Sequence, residues 1–94
     1  MKFLAVTRRH TGRFSQAEFA EHLPAEADQA RANYASGVFR EIYSRGDVPG
    51  AVIVIEAPDL EAAGALIAAL PLAQHAMMEV EVIPLRPYRG FIGG

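Results

Sequence analysis

The 94-residue chain predicts an α+β fold, strand-helix-strand-strand-helix-strand, with a four-stranded antiparallel sheet carrying two helices on one face. Three observations point there. A capping box at Ser15 opens a helix directly after an apolar strand pattern. Two strand patterns, 38–44 and 51–56, meet across a turn containing Gly46, Asp47, Pro49 and Gly50. An alternating segment, 77–83 (MMEVEVI), follows an alanine-rich helix. Two split βαβ units around a central hairpin give the ferredoxin-like βαββαβ arrangement, with spatial strand order 4-1-3-2.

Each element has its own signal. Residues 2–7 (KFLAVT) are short and apolar, the pattern of a strand buried on both faces. Ser15 is an N-cap, Glu18 completes the box, and Phe14 and Phe19 take the staple positions. Pro24 cannot continue an established helical turn, so the sequence predicts a short helix to His22, a kink, and a longer helix from Pro24 to Ala35. Gly37 supplies the left-handed cap. In 38–44 (VFREIYS), strict alternation puts Val38, Arg40 and Ile42 on one face and Phe39, Glu41 and Tyr43 on the other. The tripeptide Arg45-Gly46-Asp47 matches a cell-adhesion motif, but its place between two strands accounts for it as hairpin chemistry. Asp59 caps the second helix, where Leu60, Ala63, Ile67 and Leu70 recur at helical spacing until Pro71. Pro84 and Pro87 end the last strand.

Composition bounds the function. Residues 1–94 are expected to form one domain, with 85–94 as a C-terminal tail packing on a neighbouring subunit. A hydrophobic content of 51% exceeds what so small a core can hold, which predicts a homodimer or larger homo-oligomer. The net charge of −2, without a basic run, argues against nucleic acid, and Arg8, Arg9, His10 and Arg13 read as a solvated loop cluster. No apolar run approaches the roughly 20 residues of a membrane span, and the apolar run after Lys2 is too short for a signal peptide, so the cytoplasm is the expected location. The absence of cysteine excludes disulfides and thiolate chemistry. His10, His22 and His75 fall on separate elements without ligand spacing, and no glycine-rich phosphate loop is present, so neither metal nor other cofactor is expected.

Four short runs then carry a family likeness. Gly37-Val38-Phe39-Arg40, Glu56-Ala57-Pro58-Asp59, Ala69-Leu70-Pro71-Leu72 and Glu79-Val80-Glu81-Val82 together resemble the muconolactone isomerases over residues 37–85. The resemblance implies a dimeric α/β barrel, in which the sheets of two copies face each other. It also implies a small-molecule isomerase that moves a proton next to the carbonyl of a lactone or carbonyl acid. Such chemistry needs a general base beside the acidic carbon and positive charge near the oxygen that gains charge. Arg40 would hold a substrate carboxylate, Tyr43 would position a substrate oxygen, and His22, Glu56 or His75 would carry the proton. Where the isomerases place a His after the strand arginine, this chain has Glu41. Two further readings therefore stay open, a cofactor-independent oxygenase of aromatic substrates and a non-catalytic dimer binding a ligand or protein. Arg40 also has a structural reading, an ion pair to Glu79 or Glu81 of a second copy.

Overall fold

The computed structural model describes residues 1–91. In chain order it contains β1 (Lys2–Arg9), α1 (Gln16–Ala35), β2 (Phe39–Ser44), β3 (Ala51–Glu56), α2 (Leu60–Ala68), α3 (Pro71–Gln74) and β4 (Met78–Pro84), with a 3-10 turn at Arg89–Phe91. The sheet order is β2-β3-β1-β4 with every neighbour antiparallel, the predicted order counted from the opposite edge. Residues 92–94 of the expected tail lie outside the described residues.

Alternation along β1 shows how the layers form. Phe3, Ala5 and Thr7 are buried beneath the helices, while Leu4 and Val6, on the other face, are half-buried. The apolar run predicted a strand covered on both faces; within one chain only the helix side is covered. Phe3, Phe39, Ile55, Ile67, Leu70 and Leu72 are the largest fully buried side chains, and with Phe19 of α1 they belong to one core between the sheet and the helices. Truncating such a side chain to Ala typically costs about 2–5 kcal/mol.

The helix starts follow the sequence. Ser15 Oγ accepts from the Glu18 amide at 3.2 Å, and Glu18 Oε1 accepts from the Ser15 amide at 2.9 Å. Asp59 Oδ1 accepts from the Ala62 amide at 2.8 Å. Gly37, at φ 86°, takes the left-handed turn after α1.

Three features differ from the sequence reading. First, α1 runs unbroken through Pro24. Pro24 and Ala20 are both exposed, so the Ala20 carbonyl that loses its helical partner lies on the solvent side of the helix, while the partly buried stripe of Leu23, Ala27 and Ala30 packs on the opposite side. Second, the pairing of β2 with β3 shifts between Phe39 and Glu41. This irregularity makes Arg40 an extra residue, so Phe39 and Ile42 both face the helices, whereas Glu41 and Tyr43 stand opposite Val54 and Val52 on the open face. Third, Pro71 ends α2 but also opens the short α3, as proline at a first helical turn can.

The hairpin between β2 and β3 closes through the Arg45 amide, which donates to the Gly50 carbonyl at 3.0 Å. Arg45 grips Asp47 with two hydrogen bonds, at 2.9 and 2.8 Å, and its third nitrogen reaches the Thr7 carbonyl at 3.3 Å. The charged ends of the Arg-Gly-Asp tripeptide thus satisfy each other. This pairing holds the Asp47 carboxyl well below the usual range. Gly50 is required sterically, because a Cβ there would run into the Thr7 carbonyl.

Candidate functional site

A cavity of about 390 Å³ opens between α1, α3 and the helix side of the sheet. Small residues create it: Ala27 and Ala30 on α1 and Ala51 on β3 leave space that leucines in their place would fill. Leu23, Leu70 and Ile53 supply apolar wall, and four polar side chains interrupt it: Thr7, Arg9, Glu26 and Ser44. Such a hollow, apolar with a few convergent polar groups, is the usual form of a small-molecule site.

Glu26 is the group with the most chemical content. Residues 23, 26, 27 and 30 share one face of α1 at helical spacing, so a carboxylate stands within an otherwise apolar stripe. Its Oε1 accepts from the Leu72 amide at 2.9 Å. Leu72 lies in the first turn of α3, whose N-cap, Leu70, offers no side-chain acceptor. The carboxyl therefore closes a helix end that its own sequence leaves open. Burial raises the Glu26 pKa above the ordinary 4.5, while the Leu72 hydrogen bond and the charge of Arg9 work in the opposite direction.

Arg9 arrives by strand periodicity. Phe3, Ala5, Thr7 and Arg9 alternate onto the covered face of β1, and the Arg9 amide is fixed by the Pro49 carbonyl at 2.9 Å. The guanidinium lies 5.7 Å from the centre of the Phe19 ring. Among the described residues it forms no ion pair, since the four present involve Met1, Lys2, Arg31 and Arg45. A positive group without a carboxylate partner at a cavity wall suits an anionic ligand. Thr7 is buried, and its hydroxyl oxygen accepts from the Ala51 amide at 2.9 Å.

The residues singled out from sequence fall in three places. His22 and His75 come together, their ring centres 4.2 Å apart and tilted by 31°. His22 lies one helical turn before Glu26, and His75 caps the C-terminal end of α3; neither lines the cavity. Glu56 is remote from this pair. It pairs with the Met1 ammonium at 2.6 Å and with Lys2 Nζ at 3.3 Å, contacts that lower its pKa. Arg40 and Tyr43 are exposed on the edge strand β2. The Tyr43 hydroxyl donates to Glu41 Oε1 at 2.7 Å, and that carboxylate raises the phenol pKa. None of these three joins the α1–sheet cavity. The sequence reading passes over Glu26, whose signal is a single carboxylate within the 23/26/27/30 stripe. Arg9 reads as loop from sequence because the apolar pattern of β1 stops at Thr7, two residues before the strand does. No three His, Asp or Glu side chains gather in a metal-binding arrangement among the described residues.

Fold and cavity together define a ferredoxin-like α+β domain with a ligand-sized hollow between helix and sheet. Among solved structures, muconolactone isomerase has this fold, with a TM-score of 0.79 at 20% identity over 100% of this chain and 97% of that one. The 5-chloro-2-hydroxyhydroquinone dehydrochlorinase of Burkholderia phenoliruptrix AC1100, solved with 2,5-dihydroxybenzoquinone, has it too. There the TM-score is 0.63 at 12% identity, covering 96% of this chain and 98% of that one. No protein-family model and no curated protein sequence matches the chain. At these identities the likeness is one of fold. It bears out the ferredoxin-like fold of the single chain, over its whole length.

Proposed function

We propose that the chain is a small-molecule enzyme that moves a proton beside a carbonyl group, with Glu26 as proton carrier and Arg9 as anchor for an anionic substrate. One observation carries this reading: a half-buried carboxyl with a raised pKa and an unpaired guanidinium line the same hollow of about 390 Å³. Proton transfer next to a carbonyl is favoured when the carrier's pKa is drawn toward the working pH and positive charge meets the developing enolate. Thr7 and Ser44 would orient substrate oxygens. His22, one turn from Glu26 and stacked on the exposed His75, would exchange the proton with water. The fold relatives support the substrate class, since one isomerises a lactone and the other carries a hydroxylated quinone. A lactone or carbonyl acid is thus the first choice and a hydroxylated ring the second. Arg40, Tyr43 and Glu56 belong to other surfaces in this reading.

The test is solvent-deuterium incorporation next to the carbonyl of muconolactone and related lactone acids, followed by NMR. The wild-type chain should exchange or isomerise at least one of them, and Glu26→Gln should slow it by about 10²–10⁴-fold. Glutamine still accepts from the Leu72 amide, so loss of the helix closure is not confounded with loss of the acid. Undiminished exchange in Glu26→Gln contradicts the assignment. Oxygen uptake with quinols, in place of exchange, would establish the oxygenase reading; ligand binding without either reaction would establish the non-catalytic one.

We also propose that two copies pair through the open sheet face. Leu4, Val6, Val52 and Val54 are half-buried on that face although no element of their own chain lies over it. Arg8 faces Glu79 and Val6 faces Glu81 across the β1–β4 ladder. An apolar centre with a charged surround is the form of a self-complementary interface. Pairing of Arg40 with Glu79 or Glu81 of a second copy belongs to this arrangement.

A further inference from the structure

Thr7 is the deepest polar group of the α1–sheet hollow. Only 3% of it is exposed, whereas Arg9 and Glu26 are half-buried and Ser44 is open to solvent. Its neighbours restrict what its hydroxyl can still do. The β1–β3 register runs to Val6 opposite Val52. One step further on, the Ala51 amide donates to the Thr7 hydroxyl oxygen at 2.9 Å. The Thr7 carbonyl accepts from Arg45 at 3.3 Å. Both contacts are acceptances, and no group among the described residues accepts the hydroxyl hydrogen.

A buried hydroxyl whose hydrogen is uncommitted calls for an acceptor, because leaving the donor unmet costs free energy. Ala51 occupies the sheet side of the oxygen, which leaves the hollow as the side open to the hydrogen. Accepting from an amide also polarises the O–H bond and makes it a stronger donor. The hairpin holds the group in place: Arg45, braced by Asp47, grips the Thr7 backbone, and Gly50 lies close against it. Such a donor is oriented before any ligand arrives, and it acts where water is largely excluded.

We propose that the Thr7 hydroxyl is the oxyanion donor of the hollow, giving its hydrogen bond to the substrate carbonyl oxygen as that oxygen becomes an enolate. The inference rests on the proton-transfer reading and narrows its substrate class. Arg9, two residues along the same face of β1, then holds a separate anionic group. The substrate is therefore a carbonyl compound whose carboxylate stands apart from the reacting carbonyl. A simple ketone or a plain carboxylate fills only one of the two places. The step balances. Ionised Glu26 takes the proton from carbon, the C–H pair becomes the C=C bond, and the carbonyl π pair moves to the oxygen that Thr7 meets. Return of the proton to carbon restores the Glu26 carboxylate. A bond that strengthens as charge develops raises kcat and leaves KM nearly unchanged.

The probe is 5-hydroxy-2-nitrobenzoate, whose phenolate oxygen stands for the enolate and whose carboxylate suits Arg9. Its absorption band moves to shorter wavelength when the phenolate accepts a hydrogen bond. Wild type and Glu26→Gln should both bind it with that shift. Thr7→Val keeps the shape and should lose the shift, binding roughly tenfold more weakly; Thr7→Ser should recover the shift. In deuterium exchange of muconolactone, Thr7→Val should lower kcat by about 10²–10³-fold. Should Thr7→Val fail to fold, NMR of wild type decides: the Thr7 hydroxyl proton should move downfield when the probe is added. No binding of the probe, a shift that survives in Thr7→Val, or an unmoved hydroxyl proton overturns the proposal. A Thr7-dependent shift beside exchange indifferent to Glu26→Gln overturns the proton-transfer reading instead and leaves the donor assignment standing.

Discussion

Glu26 has two roles that one substitution separates. As a hydrogen-bond acceptor it ties α1 to the first turn of α3; as an acid it occupies a site that disfavours its charge. Because folding raises its pKa above 4.5, the native state binds more protons than the unfolded state in the window just above that value. Its contribution to stability is therefore fully present below the unfolded pKa and is lost as pH rises through the folded pKa. Glu26→Gln keeps the acceptor and removes the charge. The variant should melt higher than wild type at neutral pH, with the gap closing as pH falls toward 4, in thermal unfolding followed by circular dichroism. A gap that widens on acidification would contradict the direction of the shift. Glu56 and Asp47 work the other way, since partners lower both pKa values; their contributions are present at neutral pH and lost on acidification.

At the scale of elements, the sequence displayed most of the fold because its punctuation is local. The Ser15 box, the Asp59 cap, the left-handed Gly37 and the alternation in β4 each depend on residues a few positions apart, and each forms as read. The misreadings share one cause, a local rule overruled by packing. Pro24 should break a helix, but Pro24 and Ala20 lie on the exposed side of α1 and the partly buried stripe continues on the other. Strict alternation in β2 fails because Phe39 and Ile42 both pack beneath the helices, which the irregularity at Arg40 permits. The site was less legible for the same reason. Glu26 and Arg9 come to line one hollow only in the folded chain, whereas Arg40 and Glu56 stand out through their neighbours in sequence. Proline inside a helix costs about 3 kcal/mol, offset by about 0.4–1 kcal/mol from its stiffening of the unfolded chain. Pro24→Ala should thus stabilise the protein by about 2 kcal/mol, read as a higher urea midpoint with an unchanged slope. A lower midpoint would show that the ring itself packs in a way essential to α1.

At the scale of the whole molecule, covering only one side of the sheet is the dominant fact. The helices bury Phe3, Ala5, Ile53 and Ile55, while Leu4, Val6, Val52 and Val54 lie on the side without helices. Val52 sits between Val6 and Tyr43 in the ladders, at the middle of that side. Sedimentation equilibrium should give at least twice the chain mass for wild type. Val52→Lys should weaken association by 100-fold or more, because an unpaired ammonium at the centre of a buried contact costs several kcal/mol. A folded wild-type chain sedimenting as a single copy contradicts the pairing. No helix among the described residues is long and apolar enough to cross a membrane.

The central claim, that a poised carboxyl and a guanidinium share one hollow, is tested most directly by following the Glu26 carboxyl carbon in a ¹³C NMR pH titration, with Glu26→Gln supplying the assignment. The midpoint should lie above 4.5 and should rise further in Arg9→Met, which removes the nearby positive charge. A midpoint at or below the ordinary value, or one indifferent to Arg9, would contradict the account.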